Sequence, residues 1–161
     1  VPPENLIGEV DKGFYGIMAN FNGERLGMAA QSAAYARVCI EEAAAWAQQR
    51  ETFGQRLADH QVIRHKIAAM CQRVWATTAM LDQLTWRVQN GEQPVGELAM
   101  LKVQATETME FCAREAMQIL GGAGFIRGHR VERIYREVRV MAIGGGSEEI
   151  MRDLTARQLG L

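Results

Sequence analysis

Between residues 26 and 47 the apolar positions Leu26, Ala29, Ala30, Ala33, Ile40, Ala44 and Ala47 fall on one face of a 3.6-residue helix. A second run, Ile63, Ile67, Met70, Val74, Leu81, Leu84 and Val88, keeps a three- and four-residue spacing. A third does the same through Leu98, Leu101, Ala105, Thr108, Cys112 and Ile119. Such spacing, held over many turns, belongs to helices that pack knobs into holes. The breaks carry turn chemistry. Pro2 and Pro3 precede the first helix, and "QNGEQP" (89–94) separates the second from the third, with Gly91 as a C-terminal cap. "LGGAGFIRG" (120–128) ends the third helix, a shorter helix is predicted over 131–138, and a last one begins near Ser147. The predicted fold is all-α, an antiparallel up-and-down four-helix bundle with short connections.

Composition narrows the class. Apolar residues make up 48% of the 161, so the chain is globular. A formal net charge of -1 argues against a nucleic-acid binder, which needs clustered basic surface. Cys39, Cys71 and Cys112 lie far apart in helical patterns, which suits small buried residues better than disulfides or zinc. No run of 18 apolar residues occurs, and the opening residues lack the form of a signal peptide. "VPPENLIGEVDKGF" reads as the end of a strand and a turn, so residues 1–12 are expected to be the tail of a preceding domain and 13–161 the bundle.

Four stretches carry candidate chemistry, each with an ordinary alternative. "AIGGGSEEIMR" (142–152) has no lysine after its glycines and two acids in the first turn, so it is no phosphate loop. A turn followed by a helix capped by Ser147 would account for it, and so would an active-site wall. In "QRETFGQ" (49–55), Arg50 is a fork of donors suited to a phosphate and Phe53 a flat face for a ring system. A helix C-cap turned by Gly54 explains the same residues. In "MQILGGAGF" (117–125) Gln118 precedes a glycine pair that either ends a helix or lets a backbone approach a ligand. In "FNGERL" (21–26) Glu24 stands on an otherwise apolar segment, as an ordinary first-turn acid or as a desolvated base.

In this order, "VPPENLIGEVDKGFYGIM", "GERL", "QRETFGQRLADHQ", "MQILGGAGF" and "YREVRVMAIGGGSEEIMRDLTAR" resemble the C-terminal helical domain of the acyl-CoA dehydrogenases, over the whole chain. The resemblance implies an FAD-dependent enzyme that oxidises acyl-CoA thioesters to 2-enoyl-CoA in fatty-acid β-oxidation. It implies an N-terminal helical domain and a central β-domain besides this one. Arg50 and Phe53 then correspond to residues that reach a partner subunit's FAD, with Arg50 on its pyrophosphate. Gln61 corresponds to a further FAD contact, and Gln118, Ile119, Leu120, Gly121 and Gly122 to a segment that approaches FAD. Ser147, Glu148 and Glu149 correspond to the loop at the adenosine end. Tyr15, Asn22, Gly23, Arg25, Gly145 and Gly146 lie on the substrate side.

Most of the family carries its catalytic glutamate in the last loop, where this chain has Gly145. The long-chain and isovaleryl types keep it in "ERL" of the first long helix, which makes Glu24 the expected base, and the overall match looks closer to the long-chain type. The glycine at 145 is expected to leave room for the relocated carboxylate. Glu24 would take the α-proton, and the amide of Gly145 would donate to the thioester carbonyl. The implied partners are an acyl-CoA, an electron-transfer flavoprotein and further copies of the chain in a dimer or tetramer. The implied compartment is the bacterial cytoplasm or the mitochondrial matrix. Two other classes stand beside this reading: a non-catalytic helical interaction module, and an acyl-CoA oxidase relative that uses oxygen.

Overall fold

The structure, a computed structural model, describes residues 2–161. It is helical almost throughout. Helix α1 (Gly13–Gln49) is followed by a minimal hairpin, β1 (Glu51–Thr52) and β2 (Gln55–Arg56), and a 3-10 turn at Leu57–Asp59. Then come α2 (Gln61–Gln89), α3 (Val95–Leu120), the single turn α4 (Gly122–Phe125), α5 (Arg130–Ile143) and α6 (Glu148–Gln158).

Helix α3 is the hub. Sixteen of its 26 residues are buried, on more than one face, so helices must cover it from several sides. Thr77 and Thr108 share a hydrogen bond at 2.9 Å, and Arg87 pairs with Glu97 at 3.0 Å, so α2 runs antiparallel to α3. Arg139 meets Glu110 at 3.0 Å, and Thr155 donates to the Gly96 carbonyl at 3.3 Å. Helices α5 and α6 therefore descend α3 one after the other, broken between them at Gly144–Ser147. Alanines at 29, 33, 36, 43 and 47, all essentially buried, bring α1 close to its neighbours. Ala36, Cys39, Met70, Met109, Cys112, Ile134 and Val138 belong to the larger core cluster. Burial pushes the thiols of Cys39 and Cys112 up to about 12, so both are inert, and neither forms a disulfide.

The turn at Gly91 has the positive φ of a helix-ending glycine, +86°. Three local features differ from expectation. The penultimate helix runs from 130 to 143 rather than 131–138, because Val138, Met141 and Ala142 continue its buried stripe. Residues 2–12 hold one 3-10 turn, Pro3–Asn5, and no strand, since no neighbouring strand offers them a ladder. The hairpin at 51–56 has strands of two residues, too short for any alternation to show in the sequence. No helix among the described residues is long and apolar enough to cross a membrane.

Candidate active-site loop and cofactor-facing end

The three glycines between α5 and α6 form a loop held from two sides. Gly145 has φ +68° and Gly146 φ +116°, conformations that side chains with a Cβ rarely adopt. From α1, Arg25 donates its Nε to the Gly145 carbonyl at 3.0 Å and Nη1 to Asn22 Oδ1 at 3.0 Å. Arg25 is only 6% exposed, and burial lowers its guanidinium pKa while neighbouring Glu24 opposes the shift. From α3, Lys102 donates Nζ to the carbonyls of Ala142 and Gly146 at 2.6 and 2.8 Å. Beyond the loop, Ser147 caps α6 by accepting from the Ile150 amide at 3.5 Å. Glu148 accepts from Thr106 of α3 at 3.4 Å, which turns it toward the bundle. Glu149 is exposed, and its own amide and the Ser147 hydroxyl hold its carboxyl below the usual range.

The space at Gly145 is not vacant. A Cβ built there lies 3.0 Å from Met28 Sδ, and one at Gly144 lies 3.2 Å from Met28 Cε. A Cβ at Gly146 would run into Met151 Cε. Met28, one turn beyond Glu24 on α1, thus stands in tight contact with the space a Cβ at 145 would take. Glu24 itself is exposed and accepts from Asn20 Nδ2 at 2.6 Å. Through its neighbour Arg25 it lies beside the glycine loop, so the structure joins two sequence segments 120 residues apart. Two donors of Arg25, Nε and Nη1, are taken by the protein itself. Gly23 is exposed, and Tyr15, 68% exposed, stands farther out with Phe14 and Ile17 on the first turns of α1, where nothing is buried.

A second group forms at the opposite end of α1. Arg50, which ends that helix, lines a groove of about 430 Å³ with Trp46, Thr52, Leu57 and residues 119–123. Ile119 and Leu120 are buried, whereas Gln118, Gly121 and Gly122 are exposed. Gly121 has φ +60° and open space where a Cβ would stand. Phe53 sits at the hairpin tip, 98% exposed, with φ +52°. A bulky residue in the left-handed region is strained, and such strain gathers at functional sites. His60 braces the hairpin, its ring 3.1 Å from Thr52 Oγ1 and edge-on to Phe53 at 6.4 Å. Gln61 opens α2, is exposed, and approaches His65 at 3.3 Å.

The two groups do not meet. Twenty-five residue steps along α1 separate Arg25 from Arg50, about 37 Å at roughly 1.5 Å per residue. Reasoning from sequence missed Lys102 and Met28. The available signal for Lys102 was a lone cation inside "LAMLKVQA", the most apolar stretch of α3. Met28 offered none, because its role depends on what it touches 116 residues later.

A family model described as "Acyl-CoA dehydrogenase, C-terminal domain" matches residues 11–160. The chain is 41% identical to acyl-CoA dehydrogenase AFT10-1 of Alternaria alternata, over 98% of this chain and 39% of that protein. It is 38% identical to the caffeyl-CoA reductase-Etf complex subunit CarC of Acetobacterium woodii, over 94% of this chain and 40% of that protein. The crystal structure of a probable acyl-CoA dehydrogenase from Mycobacterium abscessus superposes with a TM-score of 0.96 at 41% identity, covering 99% of this chain and 43% of that one. The chain thus spans about two fifths of the length of the relatives it matches.

Proposed function

Since this chain belongs to the acyl-CoA dehydrogenase family, matching its C-terminal domain, we propose that the protein catalyses α,β-dehydrogenation of an acyl-CoA thioester with FAD, and that this domain supplies the base. The observation that carries the proposal is the junction of Glu24–Arg25 with the glycine loop, with Arg25 Nε 3.0 Å from the Gly145 carbonyl. It sets an acid on a helix beside a loop whose backbone can face a carbonyl. Glu24 takes the α-proton. The Gly145 amide donates to the thioester oxygen, where negative charge develops, and so lowers the barrier. Substrate closing over Glu24 excludes water and strengthens it as a base.

The far end of the chain fits a flavin nucleotide. Its groove joins a guanidinium, a glycine backbone open to close approach and a neighbouring exposed ring. FAD, when bound, supplies the acceptor for the electrons that leave with the β-hydrogen. Arg50 would hold its pyrophosphate, Phe53 and Gln61 would pack beside it, and Gln118–Gly122 would meet it with backbone. Because this end lies about 37 Å from Glu24, the two serve different flavins, and the active assembly contains more than one copy of the chain. Ser147 and Glu149 would hold the adenosine end beside the glycine loop. The same reading takes α5 and α6 as one interrupted arm, the fourth of an up-and-down four-helix bundle.

CarC is described as a reductase subunit in an Etf complex, which favours an electron-transfer flavoprotein as partner here. It also supports a second reading, saturation of an enoyl-CoA by the same groups working in reverse. The test is anaerobic mixing of the full-length protein, purified with FAD, with acyl-CoA esters of increasing chain length. Bleaching of the flavin is expected, followed by slow recovery in air and fast recovery with the electron-transfer flavoprotein. Fast recovery in air assigns an oxidase. A flavin that neither bleaches with an acyl-CoA nor, once reduced, recovers with an enoyl-CoA overturns the proposal.

A further inference from the structure

Among the described residues Lys102 has the largest fully buried side chain, yet it is charged and has no part in the reaction proposed above. An ammonium leaves water only at high cost unless strong acceptors replace it. Here those acceptors are the carbonyls of Ala142 and Gly146, which bracket the glycine loop. Burial lowers the Lys102 pKa, and Glu148 opposes that shift more than any other neighbour. Removing this ammonium would leave both carbonyls without their donor, which costs stability, but that cost does not explain why the donor is aimed at this loop. Its geometric effect is specific. With the carbonyls of residues 142 and 146 fixed from α3, and that of 145 fixed by Arg25 from α1, the Gly144–Gly145 peptide, which carries the Gly145 N–H, is held between anchored neighbours.

We propose that Lys102 is a positioning residue for the dehydrogenation, which clamps residues 142–146 so that the Gly145 amide points at the thioester oxygen. The inference rests on the reading that this amide contacts substrate. A donor that drifts by about 1 Å can lose on the order of 100-fold in rate. Lys102→Met keeps the volume and removes every donor, whereas Lys102→Gln keeps an N–H donor on a shorter stem.

Both variants are to be made in the full-length FAD-loaded protein. Single-turnover flavin reduction by acyl-CoA, counted per bound flavin, is expected to fall about 10- to 100-fold for Lys102→Met and less for Lys102→Gln. The apparent Kd for acyl-CoA is expected to stay within about threefold, since most of the binding surface is untouched. The infrared carbonyl stretch of a bound acyl-CoA analogue lacking a β-hydrogen should move to higher wavenumber as the donor misaligns. A merely structural lysine would lower melting temperature and flavin content and leave the rate per flavin and the carbonyl stretch alone, and that result overturns the proposal. If Lys102→Met does not fold, Lys102→Gln carries the same test. If the wild type itself is not reduced by any acyl-CoA, the functional reading fails, and deuterium exchange over 142–147 still tests the clamp. Exchange there at least about tenfold faster in either variant, with α3 unchanged, upholds the clamp, and unchanged exchange overturns it.

Discussion

The glycine loop and the hairpin end both depart from ordinary backbone, and they do so in opposite settings. At 145 and 146 the positive φ angles belong to glycines, Met28 and Met151 take the neighbouring space, and Arg25 and Lys102 hold the carbonyls. At 53 the positive φ belongs to a phenylalanine that is 98% exposed. The first conformation is set by the chain's own packing. The second keeps a strained apolar ring in water, which the domain alone gives no reason to keep. The loop is a finished part, and the hairpin end, on the proposed reading, is half of a contact.

The largest effect expected from that contrast lies at Glu24, beside the finished part. In the full-length protein Glu24→Gln should cut flavin reduction by acyl-CoA by about 100- to 10,000-fold, the usual loss for a positioned base, with FAD still bound. Glu148→Gln and Glu149→Gln should leave that rate within a few-fold. Adding Gly145→Glu to Glu24→Gln should restore little, because φ +68° strains any side chain at 145 and its Cβ would lie 3.0 Å from Met28 Sδ. Stopped-flow bleaching that is near normal in Glu24→Gln and lost in Glu148→Gln or Glu149→Gln would move the base to the acids after the glycines.

How much of this was legible follows from the range of the contacts involved. The long helices could be read because their apolar spacing repeats over many turns, and Gly91 and Ser147 could be read because turns and caps are local. The extension of α5 to residue 143 was hidden by Arg136, Glu137 and Arg139, which interleave the buried Val138. Glu24, Arg50 and Phe53 stood out only through their resemblance to a family, as isolated residues admit ordinary roles. Lys102 and Met28 escaped because a glycine signals that space or a special φ is needed and not which distant side chain demands it.

Alkaline pH should erase the contrast by unfolding the core that both regions share. Cys39 and Cys112 are neutral thiols raised to about 12, whereas in the unfolded chain they ionise near 9. Their contribution is whole below pH 9 and is lost as the pH climbs toward 12. Denaturant midpoints between pH 8 and 11 should fall steeply, and Cys39→Ala should flatten the slope by about half. A slope unchanged in Cys39→Ala would show that other groups set the alkaline limit.

Within the finished part, Gly146→Ala should destabilise by about 2–4 kcal/mol, combining left-handed strain with overpacking against Met151. Gly121→Ala, at the other end, faces open space and carries strain alone, so about 1–2 kcal/mol is expected. Equal losses in urea titrations of the two variants would mean that the loop is no better packed than the hairpin end.

The smallest effect, and the most discriminating in sign, is at Phe53. Phe53 and Gly54 both have positive φ, +52° and +78°, across a two-residue turn between β1 and β2. That turn prefers Asn-Gly. Phe53→Asn removes a bulky side chain from the left-handed region, and its ring packs only edge-on against His60, at 6.4 Å. The domain should therefore gain up to about 1 kcal/mol, a rise of roughly 2–4 °C in melting temperature for a domain of this size. In the full-length protein the same substitution should weaken FAD retention if, as proposed, the ring that was costly to the isolated domain is the surface the cofactor packs on. The pairing of higher domain stability with lower flavin content is what half of a contact predicts. A variant that loses stability while keeping its flavin would show that Phe53 serves its own hairpin, and the two ends of the molecule would then be finished alike.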